Sequence, residues 1–183
     1  FSSCMHSLLV IDKQNKPLTP LITWADGRSE KIAESIRKSE EGKNIYKSTG
    51  APIHAMLPLC KIKWFKENEK EIFSNAVKFI SIKEFIWFRL FNRYEIDHSI
   101  ASATGLFNIE NFNWNRSSLE LCGISADQLS EIVATDFTRK DIIPSVATFL
   151  RIPVETKFCI GASDGCLANL GSGAIKKGIA AIT

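Results

Sequence analysis

"CIGASDGCLANLG", residues 159–171, sets one carboxylate, Asp164, among small residues directly after the apolar run Phe158-Cys159-Ile160. An apolar run, a glycine-bounded turn and a helix-compatible stretch read as strand, turn and helix. Open α/β sheets present their ligands at the carboxyl ends of strands, where this aspartate would stand. Gly161, Ala162, Ser163 and Gly165 leave room for a substrate to approach a carboxylate able to take a proton from a hydroxyl. The plainer alternative is that Asp164 caps the helix. The same five residues, Gly161 to Gly165, also match G-x-S-x-G, the nucleophile turn of serine hydrolases. That chemistry wants an acid and then a histidine downstream, and neither follows Asp164 up to Thr183. Without an imidazole to take its proton, Ser163 is a poor nucleophile. Two phosphate-loop patterns also fall short. Gly173 to Gly178 has P-loop spacing, but Ile179 stands where the G-K-[ST] ending should be, and Gly171-x-Gly173 lacks the third glycine of a dinucleotide fingerprint.

Outward from this turn, strands and helices alternate, which makes the class α/β. Ser7 to Ile11 and Leu21 to Trp24 read as two strands around the turn Asp12–Lys16. "DGRSEKIAESIRKSEEG", 26–42, reads as one helix with Ile32, Ala33 and Ile36 inward and Gly42 at its end. Pro58 starts a helix over "PLCKIKWFKENEKEIF", 58–73, with Leu59, Ile62, Trp64 and Phe65 inward. "VKFISIKEFIWFRLFNRYE", 77–95, is a short strand and an aromatic core helix, with Ser81 and Glu84 spaced as a capping box. "DHSIASATGLFNI", 97–109, reads as a loop with short helical turns, and 113–133 as two short helices parted by Gly123. From 137 a loop leads to a strand through Lys157–Ile160, and after the helix at 164 a last strand runs to Thr183.

The chain has 183 residues, enough for one domain with a real core and short for two. Twenty-three Lys and Arg against 20 Asp and Glu leave +3, too weak and too dispersed for a nucleic-acid footprint. A 45% hydrophobic content and a mean hydropathy near zero are those of a globular protein, and no stretch approaches the roughly 18 apolar residues of a membrane span. Five scattered cysteines with no C-x-x-C pair read as small buried hydrophobes of a reducing, cytoplasmic compartment. His6, His54 and His98 lie too far apart in sequence to suggest a zinc site, and His54 and His98 read as structural or surface residues. The start at Phe1, inside an apolar segment, suggests a piece of a longer chain without a signal peptide.

"MLPLCKIKWFKEN", 56–68, resembles the first signature of the FGGY carbohydrate kinases. Met56, Pro58, Lys61, Ile62, Trp64, Phe65, Glu67 and Asn68 fill every position of that pattern. Other blocks agree in order and spacing. "SSCMHSLLVID" is similar to the family's substrate-contacting strand, "LITWADGRS" to its Trp-x-Asp-x-Arg segment, and "STGAP" precedes the signature as in the family. "DHSIASATGLFNIENFNW" is similar to the Asp-x-Ser-x-Ala-Ser block, and "IGASDGCLANLGSGAIKKGIAAIT" to the segment with the catalytic aspartate. Within the family the wording is nearest to the members that phosphorylate gluconate.

The resemblance implies a ribonuclease H-like, actin-like ATPase domain lacking its first strands. Residues 1–174 would be a partial sugar-binding domain and 175–183 the start of the connection to a nucleotide-binding domain. It implies ATP-dependent conversion of gluconate to 6-phosphogluconate by the whole protein, with Mg and ATP as cofactors and Asp164 as general base. Met5, His6, Trp24 and Met56 stand where family members contact the sugar. Asp26 and Arg28 match a family motif and read equally as a structural ion pair. Neither the family's first glycine- and threonine-rich phosphate turn nor its second phosphate loop has a counterpart here. The chain alone is therefore expected to bind ATP negligibly and to be inactive. Missing strands would expose an edge and apolar surface, and a homodimer could cover them. Xylulose or another ketose or polyol is the alternative substrate, and a non-catalytic sugar-binding module the alternative class.

Overall fold

The apolar run after His6 forms the first strand of the core, but at shorter length than its pattern suggests. In the computed structural model, which describes residues 1–182, the chain opens with β1 (Ser2–Ser3) and β2 (Leu9–Ile11). Asp12 to Lys16 form the expected turn, with the Asp12 carboxylate accepting the Gln14 and Lys16 amides at 2.8 and 2.9 Å. The expected second strand, Leu21 to Trp24, contributes only a bridge at Leu8–Ile22. β2 pairs antiparallel with β3 (Lys78–Ile80) instead. The apolar side chains of β2 and β3 are buried together, a larger gain than a half-exposed Leu21 and Trp24 would return.

The helix expected over 26–42 is two helices, α1 (Glu30–Lys38) and α2 (Glu40–Thr49). Ser39 breaks the run: its extended backbone starts α2, and its hydroxyl accepts the Gly42 amide at 3.0 Å. Gly42 thus lies inside α2, not at a helix end, and it is there because nothing else fits. A Cβ on Gly42 would stand 1.9 Å from the Ile36 carbonyl oxygen. Alanine in a helix interior ordinarily gains about 1 kcal/mol over glycine, whereas overpacking a rigid contact costs about 1–3 kcal/mol. Backbone cannot yield as a flexible side chain can, so Gly42→Ala is expected to lower stability by about 1–2 kcal/mol. A urea midpoint at or above that of the unmodified protein would contradict this.

Gly50, in the left-handed region at φ 67°, closes α2. The next expected helix again divides, into α3 (Pro58–Asn68) and α4 (Lys70–Asn75), at Glu69. Leu59, Ile62 and Phe65 are buried, and Trp64 packs half-exposed at the margin. α5 (Ile82–Phe91) has the expected start: the Ser81 hydroxyl accepts the Glu84 amide and the Glu84 carboxylate accepts the Ser81 amide. Burial pushes the Glu84 carboxyl up to about 7, against hydrogen bonds from Ser130 and Ser81.

Short elements complete the fold. They are β4 (Glu95–Asp97), α6 (His98–Ser102), β5 (Phe107–Asn108), β6 (Asn113–Trp114) and α7 (Arg116–Cys122), the last ended by left-handed Gly123. A single 3-10 turn at Ala126–Gln128 stands where a second helix was expected. Then come β7 (Glu131–Val133), β8 (Thr138–Arg139), α8 (Pro144–Leu150), β9 (Phe158–Cys159), β10 (Ala162–Ser163) and α9 (Asp164–Gly171). α8 occupies part of the segment expected to be loop. The last expected strand does not form among residues 174–182, and Thr183 lies outside the described residues.

The class is α/β, but the strands are two or three residues long and pair only two by two: β1 with β10 and β4 with β7 in parallel, β2–β3, β5–β6 and β8–β9 antiparallel. The main core joins α1, α2, α3 and α7 to β2 through Val10, Ile36, Ile45, Leu59, Ile62 and Phe65. A second cluster gathers Trp87, Leu90, Phe91, Ile142, Ala147 and Ile160. Of the cysteines, Cys60 and Cys122 are buried as expected, whereas Cys4 after β1, Cys159 in β9 and Cys166 in α9 are exposed.

Candidate functional site

β1 and β10 run parallel, with Ser2 opposite Ala162 and Ser3 opposite Ser163. Both strands therefore end on the same side. One leads through Cys4 into Met5 and His6, and the other directly into Asp164. The sheet register brings to one edge residues 158 positions apart in sequence, His6 and Asp164.

Ser163, not Asp164, caps α9: its hydroxyl accepts the Cys166 amide at 3.4 Å. That removes the plain helix-cap reading of Asp164, which occupies the first helical position. Its side chain is exposed, and its Oδ1 accepts only the adjacent Gly165 amide, at 2.9 Å. Ser163 is fully buried, its hydroxyl 3.0 Å from Ser99 Oγ, and so is not presented to a substrate.

His6 has a left-handed backbone, φ 63°, unusual for a residue with a side chain. Its Nδ1 is buried with no hydrogen-bond partner among the described residues. Burial lowers the imidazole pKa against the Ala103 carbonyl, the Lys61 cation lowers it further, and the Asp164 carboxylate opposes them. His6 is thus a neutral imidazole at neutral pH, able to donate to or accept from a hydroxyl. Met5 is half-buried against Ile96, Ile100, Ala101 and Phe107.

Trp24 is 61% exposed, an indole face free to stack on a ring or chain of C–H groups. Met56 is half-buried in the lead-in to α3, its amide donating to His54 Nδ1 at 3.2 Å. His54 itself is exposed, and His98 packs against Phe107 and Phe112. Asp26 and Arg28 form a bidentate ion pair, with both nitrogen–oxygen distances 2.8 Å. Arg28 also lies 5.0 Å from the Trp64 ring centroid. The Arg28 guanidinium holds the Asp26 carboxyl below the usual carboxylate range. With their charges spent on one another, these two shape the loop that carries Trp24.

Two buried lysines tie the site together, and sequence reasoning assigned neither a role. Lys61, on α3, donates from Nζ to the His6 carbonyl at 2.6 Å and to the Thr23 carbonyl at 2.8 Å. Lys83, on α5, pairs with Asp97 at 2.6 Å and reaches the Ala162 carbonyl at 3.3 Å, just ahead of Asp164. Asp97 Oδ1 also accepts the Ser99 and Ile100 amides, both at 3.0 Å, starting α6. The available signal was a lysine within a largely apolar stretch, in "LCKIKW" and "SIKEFIW". A buried ammonium must find partners.

Residues 1–171 match the FGGY family of carbohydrate kinases, N-terminal domain. A gluconokinase of Bacillus subtilis (strain 168) is 51% identical over 183 residues, all of this chain and 36% of that protein. The crystal structure of gluconate kinase from Lactobacillus acidophilus superposes with a TM-score of 0.92 at 36% identity, over 95% of this chain and 35% of that one. The structure of ligand-bound xylulose kinase from Lactobacillus acidophilus gives the same TM-score, 0.92, and the same 36% identity, over 95% of this chain and 36% of that one. The chain thus spans about a third of the length of the relatives it matches. Its mixed helix–strand architecture is that of these kinases, the actin-like ATPase fold expected from the sequence. On the family match over nearly its whole length, the chain belongs to the FGGY family of carbohydrate kinases.

Proposed function

We propose that the chain supplies the sugar site and catalytic base of an ATP-dependent kinase that phosphorylates gluconate to 6-phosphogluconate. The observation that carries this reading is the parallel register of β1 and β10, which delivers Met5, His6 and Asp164 to one edge. In this proposal Asp164 takes the proton of a terminal sugar hydroxyl as that oxygen attacks the γ-phosphate. Phosphoryl transfer demands mainly positioning and charge stabilisation, so one free carboxylate suffices as base. His6, neutral and half-buried, would exchange a hydrogen bond with a sugar hydroxyl, Trp24 would cover an apolar face, and Met5 and Met56 would close the site.

ATP, carried with Mg, supplies the phosphoryl group. The described residues include no cluster of three or more side chains able to hold a metal ion. In this reading the nucleotide and metal sites belong to the remainder of the whole protein, beyond a boundary near residue 174, since the chain spans only 36% of its gluconokinase relative. None of the described helices is long and apolar enough to cross a membrane. The proposed substrate is a small molecule, and the proposed compartment is the cytoplasm, as the scattered cysteines without a C-x-x-C pair suggest. Exposed Ile86, Phe149 and Leu150 supply apolar surface that a homodimer could bury.

The gluconokinase identity of 51% favours the sugar acid. A ketose such as xylulose is the second reading, favoured by the equal superposition of a structure bearing that name. ADP release by the whole protein with gluconate, xylulose and glycerol in turn separates them. Gluconate is expected to give a kcat/KM at least about tenfold above xylulose, a difference of about 1.4 kcal/mol in the transition state. Preference for xylulose would keep the chemistry and change the substrate. No turnover with any sugar would sink the kinase reading in favour of a binding module.

A further inference from the structure

Lys61 is fully buried, and its ammonium is spent on two backbone carbonyls, those of His6 and Thr23. A helix face built of Leu59, Ile62 and Phe65 has no need of a charge for packing. Nor is Lys61 needed to bring the two segments together. Leu8 and Ile22 already exchange backbone hydrogen bonds of 2.8 and 3.0 Å close by. What Lys61 adds is the orientation of the peptides on the site side of that bridge. One belongs to His6, whose left-handed backbone is intrinsically disfavoured, and the other immediately precedes Trp24. Met56 lies two residues before the start of α3, the helix that carries Lys61. We infer that Lys61 is a positioning residue of the sugar site, one ammonium that fixes His6 and Trp24 relative to each other and to Met56. This rests on the kinase reading for its consequence in catalysis, but not for the tether itself.

The environment supports it. Burial pushes the Lys61 ammonium down to about 8, with the Asp26 carboxylate opposing and the Arg28 guanidinium adding to the fall. It is therefore charged at neutral pH, and its hydrogen bonds to the carbonyls are the stronger, charge-assisted kind. Its charge also helps keep His6 neutral. The tether and the protonation state of the imidazole thus depend on the same group.

The test uses the whole protein with gluconate and Mg-ATP. Lys61→Met is expected to raise the KM for gluconate at least about tenfold while the KM for Mg-ATP moves less than about twofold. Lys61→Arg, which keeps donors and charge, should fall between Met and the unmodified protein. An unchanged gluconate KM in Lys61→Met, or equal rises for both substrates, overturns the inference. If the Met variant does not fold, Lys61→Gln is read the same way, since its shorter amide cannot span both carbonyls. Absence of sugar-dependent turnover in the unmodified protein would count against the kinase reading alone. The tether is then decided by amide hydrogen exchange at residues 6–8 and 22–24, which should quicken in Lys61→Gln relative to α3, and which overturns the inference if it does not.

Discussion

Asp164→Asn is expected to cost the whole protein at least about a hundredfold in kcat, the lower end of what a general base contributes. The substitution is nearly isosteric and leaves the local fold its hydrogen bonds. The amide oxygen can still accept the Gly165 amide, and Ser163 still caps the helix. A loss of activity in this variant therefore reports chemistry and not unfolding. The other carboxylates described at the site are not free for the job, since Asp26 is bound to Arg28 and Asp97 to Lys83, and Ser163 is buried against Ser99. A hundredfold loss corresponds to about 2.7 kcal/mol of transition-state stabilisation. It should appear in kcat with the KM for Mg-ATP unchanged, because a base acts only as the proton moves. Turnover equal to that of the unmodified protein, measured by ADP release, would return Asp164 to a structural role.

Local chemistry made part of this legible in advance. The Ser81–Glu84 box, the left-handed Gly123 and the helix opening at Asp164 each depend on contacts within a few residues, and each forms where the sequence suggests, whereas Ala162 and Ser163, read as turn, are a strand paired with β1 at long range. The resemblance of Met56 to Asn68 to the family signature agrees with the family match over residues 1–171. What the pattern missed was decided at long range. Gly42 reads as a helix end only until the Ile36 carbonyl lies beneath it. The stretch Leu21 to Trp24 is largely apolar, yet β2 takes β3 as its partner, 67 or more residues further on by the pairing of Ile11 with Lys78. α8, at Pro144–Leu150, was hidden because its outward face carries Phe149, 83% exposed, so no amphipathic period marked it.

The same division holds within the site. Asp164, His6 and Trp24 stand out by residue type, since carboxylate, imidazole and indole each suggest a contact with a sugar. Lys61 and Lys83 do not, because a lysine in sequence is read as a solvated charge. Only the fold shows that each ammonium is buried and that each holds the backbone beside a candidate contact: Lys61 at His6 and Thr23, Lys83 at Ala162. In the proposed site, the groups assigned to the substrate are held by two buried ammonium groups behind them.

Lys83→Met should accordingly produce the largest loss of stability of any substitution considered, about 3–5 kcal/mol, the cost of breaking a buried ion pair by removing one partner. Lys83 is 3% exposed and Asp97 not at all, so water cannot replace the missing ammonium. Methionine fills most of the lysine's volume, which leaves the unpaired Asp97 charge as the principal defect. Against a typical domain stability of about 5–15 kcal/mol, such a loss approaches unfolding. Adding Asp97→Asn should recover part of it. The amide oxygen still caps α6 through the Ser99 and Ile100 amides, and no unpaired charge is left at this position. Urea unfolding of the single and double variants beside the unmodified protein measures both quantities. A single variant within about 1 kcal/mol of the unmodified protein would mean the pair behaves as a solvated surface bridge. The recovered double variant carries a further consequence. It lacks the bond to the Ala162 carbonyl while keeping its fold, so its kcat should remain depressed if Lys83 holds the strand that delivers Asp164.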